Sequence, residues 1–168
     1  CEEGFACVPV DSGGGDLVSV CVARTLRQCD PCSDSKACKS VGVQDAACVD
    51  HGSAGAFCAI GCSGDDDCSK DFHCAAVKSV EGDESKRCVP DAADGKTGLG
   101  ACTCSEDAIA AKLKTSCFVE HFTGANELVG KCAGERVCGE KGLSACAAPP
   151  LDVEKCDGVD NDCDGKTD

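Results

Sequence analysis

Short apolar stretches on either side of a glycine-rich turn occur twice in the chain and predict two β-hairpins. The first follows Cys7, turns over residues 12–16 and returns over residues 17–22; the second follows Cys74 and turns over residues 80–83. A different pattern begins at Ser105, which can cap a helix. Glu106 and Asp107 then fall where the helix dipole is positive, and residues 108–115 are mostly good helix formers with Lys112 and Lys114 near the end. One short helix is predicted there, with Ile109 and Leu113 on one face. Residues 29–62 are polar, rich in Gly and Ser and without sustained periodicity, so knotted loops with short strands and little regular structure are expected. No segment approaches the roughly 18 consecutive apolar residues of a membrane span.

Apolar bulk is too scarce to hold these elements together by packing alone. The 168 residues include 20 cysteines, no Met, Trp or Tyr, and five phenylalanines. Such a chain is a disulfide scaffold in which cross-links stand in for a large core. An even cysteine count in this setting implies an oxidising compartment with all twenty bonded, since cytosolic thiols are kept reduced. The expectation is an extracellular or cell-surface protein. The cysteine spacing also repeats: Cys1, Cys7 and Cys21 follow the same intervals as Cys68, Cys74 and Cys88. At this offset of 67, nine of 22 positions over residues 1–22 and 68–89 are identical, among them Phe5 with Phe72 and Gly15 with Gly82. Cys58 and Cys62 precede the second copy and have no counterpart before the first, so the chain reads as opening inside a module. The predicted class is therefore a small disulfide-rich fold of tandem, loop- and hairpin-rich cystine modules with one short helix and a C-terminal calcium loop. Residues 1–28 form a partial hairpin module, 29–101 a module with the second hairpin, 102–148 a helix-containing cystine module, and 149–168 the acidic loop.

The formal charge of −14 excludes nucleic acid and anionic membranes as partners, because either needs a basic face. Cations are the natural partners, and the end of the chain is spaced to hold one. Asp160, Asp162 and Asp164 alternate, Gly165 follows, and Asp168 comes next among the acids. This is the head of a calcium loop of the EF-hand kind: alternate residues of a tight loop turn their oxygens on one hard cation, and the glycine permits the turn. The Lys166 carbonyl supplies a neutral ligand and Asp168 a direct or water-mediated one. Calcium takes about six to eight oxygens and this stretch offers about five. Water, Asp157 or a neighbouring chain is expected to complete the sphere. Cys156 and Cys163 are close enough to tighten the loop by bonding to each other, or either could bond to Cys146. The clusters Asp65-Asp66-Asp67 with Asp71, and Asp91 with Asp94, do not fit the alternating template and read as solvated loops.

The string from Glu154 to Asp168, with Cys132, Cys138 and Cys146-Ala-Ala-Pro-Pro upstream, resembles the metal-binding repeats of large cysteine-rich surface proteins of myxobacteria and related bacteria, called MopE-like. The resemblance covers about residues 102–168. It implies secretion, a bound divalent cation and a place in a long multidomain surface protein, and the family's naming points to copper. The donor set here points instead to calcium: His51, His73 and His121 are scattered, Met is absent, and an all-oxygen carboxylate loop prefers a hard ion.

No catalytic constellation accompanies these features. Asp50-His51 beside Ser53 and Glu120-His121 are sequence neighbours rather than a triad, and Cys29-Asp-Pro-Cys32 lacks the βαβ setting of a redox pair. The expectation is a non-enzymatic structural or adhesive module, stabilised by disulfides and calcium, that associates with copies or tandem modules of itself in a surface filament or long surface protein. The alternative is a secreted cystine-framework protease inhibitor or ligand-binding module presenting a hairpin tip, at residues 11–16 or 77–85.

Overall fold

The computed structural model describes residues 4–40, 42–93, 98–153, 155–158 and 160–166. Among these residues the chain forms nine short strands and two short α-helices, and no sheet exceeds three strands. Strands β1 (Phe5–Asp11) and β2 (Leu17–Ala23) pair as one antiparallel hairpin, β3 (Ala47–Asp50) and β4 (Ala56–Ala59) as a second, and β5 (Phe72–Lys78) and β6 (Glu84–Pro90) as a third. The last sheet runs β7 (Lys114–Phe122), β8 (Leu128–Gly139), β9 (Gly142–Leu143). Helix α1 spans Ser35–Cys38 and α2 spans Glu106–Ala110. In its coarse class the fold is small and disulfide-rich, with eight disulfides placed among the described residues.

The β1–β2 and β5–β6 hairpins are built alike. Each strand has seven residues, Cys7 faces Cys21 as Cys74 faces Cys88, and every pair in one register lies 67 positions from its counterpart in the other. Both turns place glycine at positive φ in the equivalent position, Gly15 at 86° and Gly82 at 91°, a conformation that a Cβ disfavours. Their surroundings differ. The β5–β6 hairpin docks on β3–β4, with the Val80 N–H donating to Cys48 O and the Cys88 N–H to Ile60 O. Glu81 in its turn reaches α1: one carboxylate oxygen accepts from the Ser35 N–H and the other from the Ser35 hydroxyl, both at 2.7 Å. The equivalent of Glu81 in the first hairpin is Gly14, and that hairpin instead packs Ala6 and Val8 against Gly42, where a Cβ would come within 2.9 and 2.7 Å of them.

The hydrogen bonds from Ser35, first its backbone N–H and then its hydroxyl, hold the Glu81 carboxyl down at about 2. A folded-state value below the unfolded one contributes stability above the unfolded value of 4.5, and that contribution is lost as pH falls toward 2. Stability measured by denaturant titration is therefore expected to fall between pH 4.5 and 2 less steeply in Glu81→Gln than in the parent chain. Parallel curves would exclude this tether.

The core lies where the sequence looks least regular. Nine buried residues form one cluster, and five of them are cysteines: Cys32, Cys38, Cys48, Cys58 and Cys88, packed with Val43, Ala46, Ala56 and Ile60. Cys32–Cys48 binds the segment before α1 to β3 and Cys38–Cys58 binds α1 to β4, while Cys62–Cys74 and Cys68–Cys88 bind the approach to β5–β6. Residues 29–62 thus hold the short strands expected there, as the β3–β4 hairpin, together with a helical turn and most of the core. The small residues and cysteines that mask periodicity there are what allow such close packing.

Among the described residues there are two short α-helices, not one. Asp34 caps α1 by accepting from the Ala37 N–H, a local signal of four residues too short to show a period. Helix α2 begins where the sequence indicates, with Ser105 Oγ accepting from the Ala108 N–H at 3.0 Å, but it stops at Ala110 instead of continuing to residue 115. Lys112 takes φ 50°, and the N–H groups of Lys112 and Leu113 turn back to the carbonyls of Ile109 and Ala108. This Schellman-type reversal frees the chain to enter β7 at Lys114. Thr115, 2% exposed, then locks β7 to β4: its Oγ1 accepts from the Ala56 N–H at 2.6 Å, and Gly55 makes room for its methyl. Cys132 and Cys138 both lie on the twelve-residue strand β8. Cys104–Cys138 and Cys117–Cys146 tie the α2 region and β7 to this sheet.

Candidate metal centre

The acidic loop lies against β8, and two features of that strand make this contact. Gly130 has no side chain where a Cβ would come within 2.6 Å of Asp162 O and 2.8 Å of Cys163 O, so the loop backbone rests on the strand itself. Cys163 is buried and bonded to Cys132, which is fully buried on β8, and the Lys131 N–H donates to Cys163 O at 2.9 Å. A second tie runs from the Asp152 N–H to Asn161 O. The expected bond between Cys156 and Cys163, or from either to Cys146, is therefore not formed. Cys146 joins Cys117, and Cys156 carries an exposed free thiol. Not all cysteines are oxidised, because Cys156 precedes the docked part of the loop while Cys163 is turned into the sheet. Iodoacetamide applied to the native chain without reductant is expected to alkylate Cys156; a mass unchanged after treatment would contradict the assignment.

Two residues of left-handed conformation, Cys163 at φ 58° and Gly165 at φ 90°, curl the segment around Asp164. The curl turns the carboxylates of Asp160, Asp162 and Asp164 toward one another, one oxygen from each lying within 4.8 Å of the others. Two oxygens bound to one Ca²⁺ at about 2.4 Å can be no more than about 4.8 Å apart, and the three carboxylates keep within that limit pair by pair. The carboxylates also hold the loop's shape. Asp160 accepts from the Asp164 and Gly165 N–H groups, Asp162 from the Asp164 N–H, and Asp164 from the Lys166 N–H, at 2.9 to 3.1 Å.

Lys166 stands beside this cluster. Its ammonium lies 3.2 Å from Asp164 and is the main reason the Asp164 carboxyl is held below its ordinary value, its own N–H bond adding to the effect. Asp157 is turned to Asn161, whose side-chain amide donates to it at 3.1 Å, so it closes the loop's first half. Of the remaining expected ligands, Lys166 would act through its backbone carbonyl, and Asp168 lies outside the described residues.

No family model matches the chain, and neither does any curated protein or solved structure.

Two cysteine groups also bring three sulfurs together, Cys32 with Cys38 and Cys48, and Cys62 with Cys68 and Cys88. All six are disulfide-bonded and offer no thiolate to a metal. No histidine belongs to the acidic loop's ligand group among the described residues: His73 Nδ1 pairs with Asp91 at 2.9 Å, His51 meets Phe57 edge to face, and His121 is on β7 opposite Gly130, the residue on which the loop rests. Burial pushes the His51 imidazole below its usual range. The other acidic cluster serves the backbone, with Asp65 accepting from the Cys74 N–H and Asp67 from the N–H groups of Ser63 and Gly64. Asp94 lies outside the described residues. Sequence reading missed Gly130 and Cys132 as the platform of the loop. A glycine interrupting an apolar stretch, two residues before a cysteine, was the available signal, since it marks a close backbone approach.

Proposed function

We propose that the chain is a non-catalytic extracellular structural module whose C-terminal loop binds one calcium ion through Asp160, Asp162 and Asp164, with the Lys166 carbonyl and Asp168 completing the protein's share of ligands. The observation that carries this reading is the convergence of three carboxylates on a loop already fixed to β8. A fixed loop binds its ion without the ordering cost that a free acidic tail would incur. The eight disulfides fit an oxidising environment, and no described helix is long and apolar enough to cross a membrane. Calcium in such a module acts as a staple, neutralising clustered carboxylates and stiffening the loop's passage along β8. Tandem modules or copies of the chain would supply the mechanical continuity of a surface protein, as the resemblance of residues 102–168 to surface-protein repeats also implies.

Calorimetric titration of the disulfide-intact chain tests the site. One calcium per chain is expected, and Asp162→Ala is expected to abolish the heat of binding while leaving the fold intact by circular dichroism. Binding unchanged in that variant, or absent in the parent chain, would overturn the proposal.

A further inference from the structure

A cleft of about 560 Å³ opens between the base of the β5–β6 hairpin and residues 101–105, which lead into α2. Small-molecule sites typically run from about 300 to about 1,000 Å³, so the cleft is of that size. Its walls are fixed. Cys29–Cys102 and Cys104–Cys138 anchor one side and Cys68–Cys88 the other, while the Gln28 side-chain amide, part of the lining, donates to Cys88 O at 2.7 Å. The Asp91 N–H donates to Asp71 O at 2.9 Å, bracing the two acidic residues of the lining against each other.

Buried polar groups gather behind this cleft. Among the described residues four polar side chains are buried, those of Asp30, His73, Ser79 and Thr115, and two of the four hold residues of the lining. His73, 5% exposed, meets Asp91 Oδ1 through Nδ1 at 2.9 Å, and Asp30, 4% exposed, accepts from the Ser105 hydroxyl at 2.8 Å. A polar side chain is costly to bury unless it is paired, so the lining residues are held from behind by groups that need them. The backbone is unusual at the same place. Of the five described non-glycine residues at positive φ, Cys29 at 67° and Asp71 at 68° both line the cleft. Such conformations cluster where a fold positions groups for a ligand.

The lining mixes acceptors, donors and an apolar wall. Asp71 and Asp91 bring carboxylates, Lys70 an ammonium, and Ser69 and Thr103 hydroxyls; Phe72 and Pro90 are apolar. A purely cationic ligand would be opposed by Lys70, and a purely anionic one by two carboxylates. A ligand with several hydroxyls suits both, since a hydroxyl donates to a carboxylate and accepts from an ammonium. A ring that buries a C–H face against Phe72 and Pro90 completes the match. We propose that this cleft binds a pyranose sugar, with Asp71 and Asp91 accepting from its hydroxyls and Lys70 donating to another. The inference goes beyond the calcium reading and does not depend on it.

The test titrates ¹⁵N-labelled, disulfide-intact chain to tens of millimolar with the methyl glycosides of α-mannopyranose, α-glucopyranose and β-galactopyranose, in calcium and again in EGTA. At least one glycoside is expected to shift the amides of residues 69–72 and 103–105 saturably and equally in both buffers. Asp71→Asn keeps a side chain that tolerates left-handed backbone but removes the charge, and is expected to weaken this binding by ~10-fold or more. Thr103→Val, on the opposite wall, is expected to weaken it as well. Glu140→Gln, the same change of charge at an exposed site outside the cleft, should leave it unchanged. No saturable shift at these amides with any of the three glycosides overturns the proposal. Affinity unchanged in both Asp71→Asn and Thr103→Val, with the fold intact by circular dichroism, overturns it equally. Shifts produced by cadaverine and by none of the glycosides would assign the cleft to an alkylammonium ligand instead, and shifts lost in EGTA would move the sugar to the acidic loop.

Discussion

Exchanging Cys32 and Cys48 together for alanine is expected to lower the unfolding free energy by about 3 kcal/mol or more. The bond joins residues 16 apart in sequence, and releasing that loop in the unfolded chain accounts for most of the figure. Packing adds to it. Both cysteines are buried, at 2% and 0% exposure, and their sulfurs lie against the Cys38–Cys58 pair at the centre of the core cluster. The cluster's other members are small: Val43, Ala46, Ala56 and Ile60 are its only non-cysteine residues. Little apolar surface is therefore available to fill the space left by two sulfurs. Removing Cys38 and Cys58 as well is expected to leave no folded state. Denaturant titration, with the remaining disulfides verified by mass, reads both results; a loss below about 1 kcal/mol for the first pair would show that packing alone sustains the core.

Breaking Cys132–Cys163 by double exchange to alanine should act on the acidic loop more than on the fold. The bond joins residues 31 apart, and it is the covalent tie between the carboxylate cluster and β8. The Lys131 to Cys163 and Asp152 to Asn161 backbone bonds remain, but both lie in a mostly exposed segment. The loop is then expected to sample open conformations in which Asp160, Asp162 and Asp164 no longer converge, and calcium affinity to fall by about 30-fold, the equivalent of about 2 kcal/mol. Calorimetry on this variant distinguishes a preorganised site from a flexible one. Affinity equal to that of the parent chain would mean that the ion itself gathers the carboxylates and the disulfide is incidental.

The parts of the fold that were legible in the sequence are those fixed by local chemistry. The turn around Gly15 and the return strand from Leu17 stand where the pattern places them, and Ser105 caps a helix because its side chain needs only the next three residues. The end of that helix was not legible. The helix-forming residues around Lys112 say nothing of the pull that draws Thr115 under Ala56 and starts β7. Strand β8 was missed for a related reason. Gly130, Gly134 and Gly139 interrupt any strand pattern there, but a Cβ at Gly130 would strike the acidic loop and one at Gly134 would come within 2.6 Å of Ala147 O. The strand is glycine-rich because the C-terminal chain runs close along it. The acidic spacing of the C-terminal loop was visible in the sequence, since Asp160, Asp162 and Asp164 follow a fixed alternation. What the loop docks on was not, because pairing Cys163 with Cys132 rather than Cys156 depends on a strand the pattern conceals.

Under the proposed reading, calcium sits among Asp160, Asp162 and Asp164 on the docked loop. Amide resonances of ¹⁵N-labelled, disulfide-intact chain followed during calcium titration test it most directly. The N–H groups of Asp164, Gly165 and Lys166 donate to those carboxylates, so their signals are expected to shift to saturation at one equivalent of calcium and return with EGTA, while those of the β3–β4 hairpin stay in place. Stationary signals at these three amides in excess calcium would contradict the account.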